Sequence, residues 1–405
     1  MAGNFDAIVV GARCAGSPTA MLLARRGCRV LLVDRASFPS DTISTHVIQP
    51  LGAAKLASWG LLEKLIRTGC PAIDTYSFDF GPIRLSGSPG TTDAPNGYCA
   101  RRTILDKLLV DAAVEAGAEL REGFSVSELL IDGGRVVGVR GRTSSGAPIE
   151  ERAEIVIGAD GRRSRVAEAV HAESYHQKPA LLAPCYSYWS NLPMRHEFAT
   201  YIRPYRGFAM APTHDGLTMI VGGWPHAELD RVKDDLETHF YEEILDLVPE
   251  VAERVRDAKR EAPFAGLPTP NYFRKPFGPG WALLGDAGYL KDPITAQGIS
   301  DAFRDAEQFV AAFDQFSSGD RSYDDAMRDF QRTRDESALP MYEMTCGLAT
   351  LAPPPPDMLT LFAALPGNQA AVDSFVRMNA GTISPAQFFS PANVQSIMEA
   401  RRLAS

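Results

Sequence analysis

Three glycine-bearing turns stand far apart in the chain, each directly after a short apolar run. They are Gly11-Ala12-Arg13-Cys14-Ala15-Gly16 after residues 7–10, Gly158-Ala159-Asp160-Gly161 after residues 154–157, and Gly285-Asp286-Ala287 after residues 281–284. Glycine at a strand end lets the backbone come close to an anion, and the free N–H groups and dipole of a following helix favour a phosphate there. Carboxylates at such strand ends accept hydrogen bonds from sugar hydroxyls. The chemistry implied is the holding of a dinucleotide.

The first turn opens a helical stretch over residues 17–26, which Gly27 ends before a second apolar run at residues 29–33. This is the start of a strand–helix–strand unit, with the pyrophosphate expected against Gly11, Ala12, Arg13, Ala15 and Gly16 at the helix N-terminus. Asp34, with Arg35 beside it, follows the second run, where a carboxylate reaches an adenosine ribose. Arg13 stands where the central glycine of the fingerprint is usual. Two readings stay open for it: a guanidinium hydrogen-bonded to a phosphate, or a solvent-exposed side chain.

At 405 residues, 45% hydrophobic and 22% charged, the chain is long enough for a large core in two lobes. Its six cysteines form no C-x-x-C pair and no cluster with histidine, which predicts reduced thiols and no metal site. A net charge of −9 without a basic patch disfavours nucleic acid as a partner. No 18-residue apolar run and no basic-then-apolar leader are seen, so the expectation is a cytoplasmic protein without a membrane span.

The patterning predicts helices over 52–67 and 105–116, and strands at 129–131 and 136–139 joined through Asp132-Gly133-Gly134. Residues 183–189, 198–202, 207–211 and 217–222 alternate as an antiparallel sheet, interrupted by a helix over about 229–247. Helices over 298–316 and 323–351 end at the run of four prolines from Pro353, and the last fifty residues read as helical. On the sheet, Tyr186, Trp189, Tyr201 and Trp224 either line a pocket for an aromatic or polycyclic ligand or serve the core.

The three turns, in this order, resemble the para-hydroxybenzoate hydroxylase superfamily of FAD enzymes, which includes aromatic hydroxylases, flavin-dependent halogenases and geranylgeranyl reductases. The resemblance spans most of the first 310 residues, with residues 158–165 matching its Asp-Gly motif and residues 285–298 its second flavin motif. It implies an α/β fold: a Rossmann-like FAD-binding domain (1–75, 96–178 and 276–325) interleaved with an antiparallel substrate domain (76–95 and 179–275), then a helical region (326–405). It also implies non-covalent FAD, NAD(P)H as a transient electron donor, O₂ and a small organic molecule as partners, and a monomer or homodimer.

By the same resemblance Asp286 accepts from the ribityl hydroxyls, and Asp160 and Gly161 lie by the pyrophosphate. Pro293 walls the ring, while Gln297, Gly298 and Ile299 open a helix at its pyrimidine edge. Arg102 begins another helix that reaches towards FAD, with Arg101 a competing candidate. Thr45 and His46 lie on a segment running back to the ring, where an imidazole binds flavin, moves a proton or only holds its loop. Of the bulky halogenase and prenyl-reductase signatures, residues 207–212 keep only Pro212. The resemblance therefore implies an NAD(P)H-driven monooxygenase, hydroxylating or epoxidising through a flavin hydroperoxide. The alternatives are a reductase of isoprenoid double bonds and a flavin carrier without catalysis.

Overall fold

The computed structural model describes residues 5–143 and 146–404. At its centre lies a parallel sheet in which strand Phe5–Val10 is flanked by Val30–Val33 on one side and Pro148–Gly158 on the other. Glu119–Arg121 extends one edge, and Trp281–Leu283 joins Pro148–Gly158 in parallel on the other. Strands Phe5–Val10, Val30–Val33 and Trp281–Leu283, with the last four residues of Pro148–Gly158, are near-continuous apolar runs because both faces are covered. The register sets Val10 opposite Val33 and Gly158, and Gly158 opposite Leu283. Turns that are distant in sequence thereby emerge side by side at one edge.

Helix Gly16–Ala24 and helix Gly298–Ser317 cover one face of this sheet. The second is amphipathic, burying Ile299, Ala302, Phe303, Ala306, Phe309, Val310 and Phe313 at helical spacing. Each fully buried Phe or Ile there contributes roughly 1.5–3 kcal/mol. On the outer side, Ser125–Asp132 and Arg135–Arg142 form a hairpin on Pro148–Gly158, and Gly133 and Gly134 take φ of 54° and 78° in its turn.

A seven-stranded sheet stands apart from the first. Its order is Lys259–Arg260, Leu182–Ser190, Thr218–Pro225, Arg206–Pro212, Glu197–Arg203, Thr75–Asp79 and Arg84–Gly87. All its pairings are antiparallel except that of Glu197–Arg203 with Thr75–Asp79. One face packs on the segment 229–256, the other on the C-terminal helices from Pro356 onward.

Three expected helices differ. The one over 52–67 is two, Pro50–Ser58 and Leu62–Arg67, broken at Gly60 with φ 77°. That over 229–247 is a series of short turns, because Asp235 leaves helical dihedrals and caps the Thr238 N–H to restart the chain. Pro249 then begins a separate helix, Pro249–Arg256. The long helix Tyr323–Leu348 continues through Pro340 and stops short of Leu351, whose φ is 54°.

Candidate functional site

The turn after Phe5–Val10 can be built only with glycine. Gly11 has φ 101°, and a Cβ there would lie 2.4 Å from the Ala159 carbonyl oxygen. A Cβ on Gly16 would lie 1.7 Å from the Gly11 oxygen. Gly285, at φ 55°, abuts Ala15 from the third turn. The three turns are thus packed against one another. Helix Gly16–Ala24 has no side-chain cap; Ser17 and Thr19 N–H donate to the Arg13 and Ala15 carbonyls and Pro18 has no N–H, so its start offers an anion the positive dipole end and the amide of Gly16. Asp34 is buried and braces this loop, its Oδ2 accepting from Ala12 N–H at 2.7 Å and its Oδ1 from Ala36 N–H at 2.8 Å. Arg35 is exposed.

Arg13 is not the free, solvent-exposed side chain of one expectation. Its guanidinium donates to Asp106 Oδ2 at 2.6 Å and to Ser40 Oγ at 2.8 Å, so protein groups hold it. Arg102 clasps the same carboxylate from the next helical turn, through Nε and Nη2 at 3.0 Å each. Asp106 is fully buried. Two guanidinium groups on one buried carboxylate leave a net positive charge at the site, and removing the shared acid would cost about 3–5 kcal/mol. Asp106 escaped sequence reasoning, although its i,i+4 spacing from Arg102 was a usable signal.

Asp286 occupies a recess that solvent reaches but protein crowds, and this crowding pushes its carboxyl up to about 6 against the pull of Arg102. A carboxylate so placed suits a row of sugar hydroxyls. Asp160 is partly a helix cap: its Oδ2 accepts from Arg165 N–H at 2.7 Å and Val166 N–H at 3.3 Å. Its Oδ1 is buried and has no partner among the described residues, and Gly161 turns away at φ 78°.

The loop into helix Gly298–Ser317 is tethered on every side. Asp292 caps the Ile294 N–H, and burial pushes its acid up to about 7. Pro293, half-buried, starts a single turn that ends at Ala296 with φ 50°. Gln49 donates to the Thr295 carbonyl at 3.2 Å and accepts from Tyr76. Gln297 directs its amide to the Asn379 carbonyl at 3.1 Å, and Ile299 enters the core, so their backbones rather than their side chains face the site. Gly298 is exposed between these two buried neighbours, with nothing within 4 Å of where a Cβ would stand. An uncapped helix start beneath open space accommodates a flat ring with a negative edge.

His46 is fully buried at φ 60°. Its N–H donates to Ser44 Oγ at 3.0 Å, and its carbonyl accepts from Ala100 N–H. Thr45 beside it is half-buried. The imidazole Nε2 meets the Tyr188 hydroxyl, Tyr186 stands edge-on at 5.4 Å, and Nδ1 has no partner among the described residues. Burial, then the positive charges of Arg102 and Arg101, lowers its pKa to about 3, so the ring is neutral. A strained backbone and an orphan ring nitrogen together mark a functional position. Tyr188 was missed by the sequence reading; its i,i+2 relation to Tyr186 was the available signal.

Of the four aromatic residues expected at a substrate pocket, Tyr186 alone shares the face of the sheet with His46. Trp189, Tyr201 and Trp224 lie on the opposite face in the core beneath residues 229–256. Their placement corrects the pocket expectation. Trp189 and Trp224 are fully buried, and the Trp224 indole N–H donates to Glu243 at 2.9 Å. Period-2 alternation puts residues 186 and 189 on opposite faces.

Among the described residues no cluster of His, Cys, Asp and Glu can hold a metal ion, and no helix is long and apolar enough to cross a membrane. The glycine turns, Asp286 and the open helix start at Gly298 form a geometry that suits a flavin dinucleotide.

Comparison with known proteins agrees. The chain is 30% identical over 317 residues to digeranylgeranylglycerophospholipid reductase 2 of Methanopyrus kandleri, covering 73% of each chain. It is 29% identical to 6-methylpretetramide 4-monooxygenase of Streptomyces rimosus, covering 79% of this chain and 77% of that one. Its fold matches the flavoprotein/dehydrogenase of Cytophaga hutchinsonii with TM-score 0.83 at 17% identity, over 99% of this chain and 100% of the other. The family model of the FAD binding domain matches residues 4–324, and with the turns converging as they do, the chain belongs to this family of FAD-dependent oxidoreductases.

Proposed function

We propose that this flavoprotein is a monooxygenase that takes electrons from NAD(P)H and hydroxylates or epoxidises a small aromatic or polycyclic molecule. Bound FAD supplies the electron transfer and the oxygen chemistry; the chain's residues bind, orient and exclude water. One observation carries the reading. On one face of the seven-stranded sheet, His46, Tyr186 and Tyr188 form a polar aromatic wall, with Val221 and Met219 on the next strand and the small Ala209 and Ala211 on the strand beyond. Small residues on the same face as planar, hydrogen-bonding ones suit a flat substrate bearing oxygen. His46, neutral and paired through Nε2 with Tyr188, can hold or pass a proton at its free Nδ1.

A second reading, reduction of isoprenoid double bonds, is favoured by the 30% identity to the Methanopyrus enzyme. The bulky aromatic residues of that signature are absent from Arg206–Pro212, which weakens it. Anaerobic mixing of the holoprotein with NADH or NADPH, followed by air and candidate aromatics, separates the two. Bleaching by a nicotinamide and oxygen uptake coupled to product formation are expected. Substrate reduction without oxygen uptake would replace the monooxygenase reading with the second one.

A further inference from the structure

Arg101 and Arg102 are neighbours in sequence but point into different regions. Arg102 turns to Asp106 and, through charge, to Asp286 on the cofactor side. Arg101 precedes the helix Arg102–Glu115 and turns to the seven-stranded sheet, where its guanidinium lies 4.3 Å over the ring of Tyr188. No carboxylate pairs with Arg101 among the described residues, and its Nε is buried without a partner. Within the same cluster, His46 presents a second unpartnered nitrogen from a fully buried side chain.

The surrounding charges do not neutralise Arg101. Arg102 shares Asp106 with Arg13. His214 accepts the Arg101 backbone N–H through Nδ1 at 3.2 Å and contacts Thr68 through Nε2, an arrangement that fits a neutral ring with its proton on Nε2. Asp215 acts on His214. Asp41, which acts on Tyr188, is exposed and caps Thr42 N–H. A guanidinium partly removed from water with no counter-charge is destabilising unless something negative completes it.

We infer that Arg101 anchors the substrate through an oxyanion carried on a planar ring, with His46 Nδ1 as a second polar contact to the same group. The ring would lie along Tyr186 and Tyr188, and Arg102 would serve the cofactor alone. The proposal rests on the flavin site for where the substrate's reacting edge must face. It adds a charge requirement that a neutral prenyl chain cannot meet.

The test is equilibrium binding to the FAD-loaded protein, followed both by flavin absorbance and by calorimetry. The probes are naphthoate, naphthamide, and para-cyanophenol above and below its own pKa. Naphthoate is expected to bind about tenfold or more tightly than naphthamide. Arg101→Gln should abolish this preference while FAD content stays at the wild-type level, and Arg101→Lys should restore part of it. Cyanophenol binding that strengthens on ionisation identifies a phenolate-type head; binding of naphthoate alone identifies a carboxylate. Equal binding of naphthoate and naphthamide, or loss of FAD in Arg101→Gln with retention in Arg101→Lys, would overturn the proposal. The second of these would make Arg101 a cofactor residue. A wild-type protein that takes up no FAD would instead refute the flavin reading itself, and calorimetric preference for naphthoate would still report on Arg101.

Discussion

The two sides of the site are built in opposite ways. On the cofactor side the contacts are mostly satisfied within the protein: Asp34 braces the first turn, Asp106 holds Arg13 and Arg102, and the glycine turns touch one another. Both sides leave buried polar atoms over, but of opposite kind: carboxylate oxygens on the cofactor side, Asp160 Oδ1 and Asp292 Oδ2, and nitrogens on the substrate side, His46 Nδ1 and Arg101 Nε. Leftover acceptors in a braced frame suit the donors of a bound cofactor, whereas leftover nitrogens in a dry wall suit a ligand of the opposite character. The comparison breaks if disturbing the first region spares FAD, or if disturbing the second removes it.

Gly16→Val should have the largest effect. Its Cβ would fall on the Gly11 backbone oxygen, which no side-chain movement relieves. Overpacking of this kind costs about 3 kcal/mol or more. The expected outcome is a protein without FAD and with a lowered melting temperature. Retained flavin absorbance in a folded Gly16→Val protein would show that the turn is not at the pyrophosphate.

Trp189→Ala comes next, and its effect is of another kind. Trp189 is fully buried against Phe240 and Phe264 on the far face of the sheet. Truncation should cost about 3–5 kcal/mol in denaturant unfolding. Below the new transition, FAD content and KM for substrate should be unchanged. A raised KM in the folded variant would return Trp189 to the pocket.

How much of this was legible follows from the range of each requirement. The glycine turns could be read because positive φ and close backbone approach are demands on one residue, printed in the sequence as glycine after an apolar run. The fate of Arg13 could not, because its partner Asp106 is 93 positions away and no local pattern joins them. The four aromatic residues were read as one set, although strand parity already separates Tyr186 from Trp189. The helix expected over 229–247 failed where Asp235 offered the backbone a cap in place of the next helical hydrogen bond. His46 was visible as a titratable residue, but its burial and lowered pKa come from Tyr188, Arg101 and Arg102, which reach it only in the fold.

A pH effect is expected at Asp286. Its ordinary carboxyl value of 3.8 is pushed up to about 6 in the folded protein, chiefly by the protein crowded around its solvent-reached recess. The apoprotein therefore gains stability from the neutral acid; this gain is complete below 3.8 and is lost as pH rises through about 6. FAD affinity should run the other way, since an ionised carboxylate is the stronger acceptor for sugar hydroxyls. Fluorescence titration should show FAD binding tightening as pH rises through that value, and Asp286→Asn should flatten the curve. Flat binding in the wild-type protein would remove Asp286 from the ribityl chain.

Gly298→Ala should perturb the fold least and so tests the cofactor side most cleanly. Nothing in the protein lies within 4 Å of the added methyl group, and Gly298 sits at the start of a long helix where Ala is a better helix former. The apoprotein should melt within about 1 kcal/mol of the wild type, or slightly above it. The open space over Gly298 is what a flat ring would fill, so the same methyl group should weaken FAD binding by about tenfold through lost close contact with the helix amides. Reduction by NAD(P)H should slow in the FAD-saturated variant, because the ring then stands away from the N–H groups that favour charge at its edge. Wild-type affinity together with a wild-type reduction rate would place the ring elsewhere and leave Gly298 as a solvent-facing helix start.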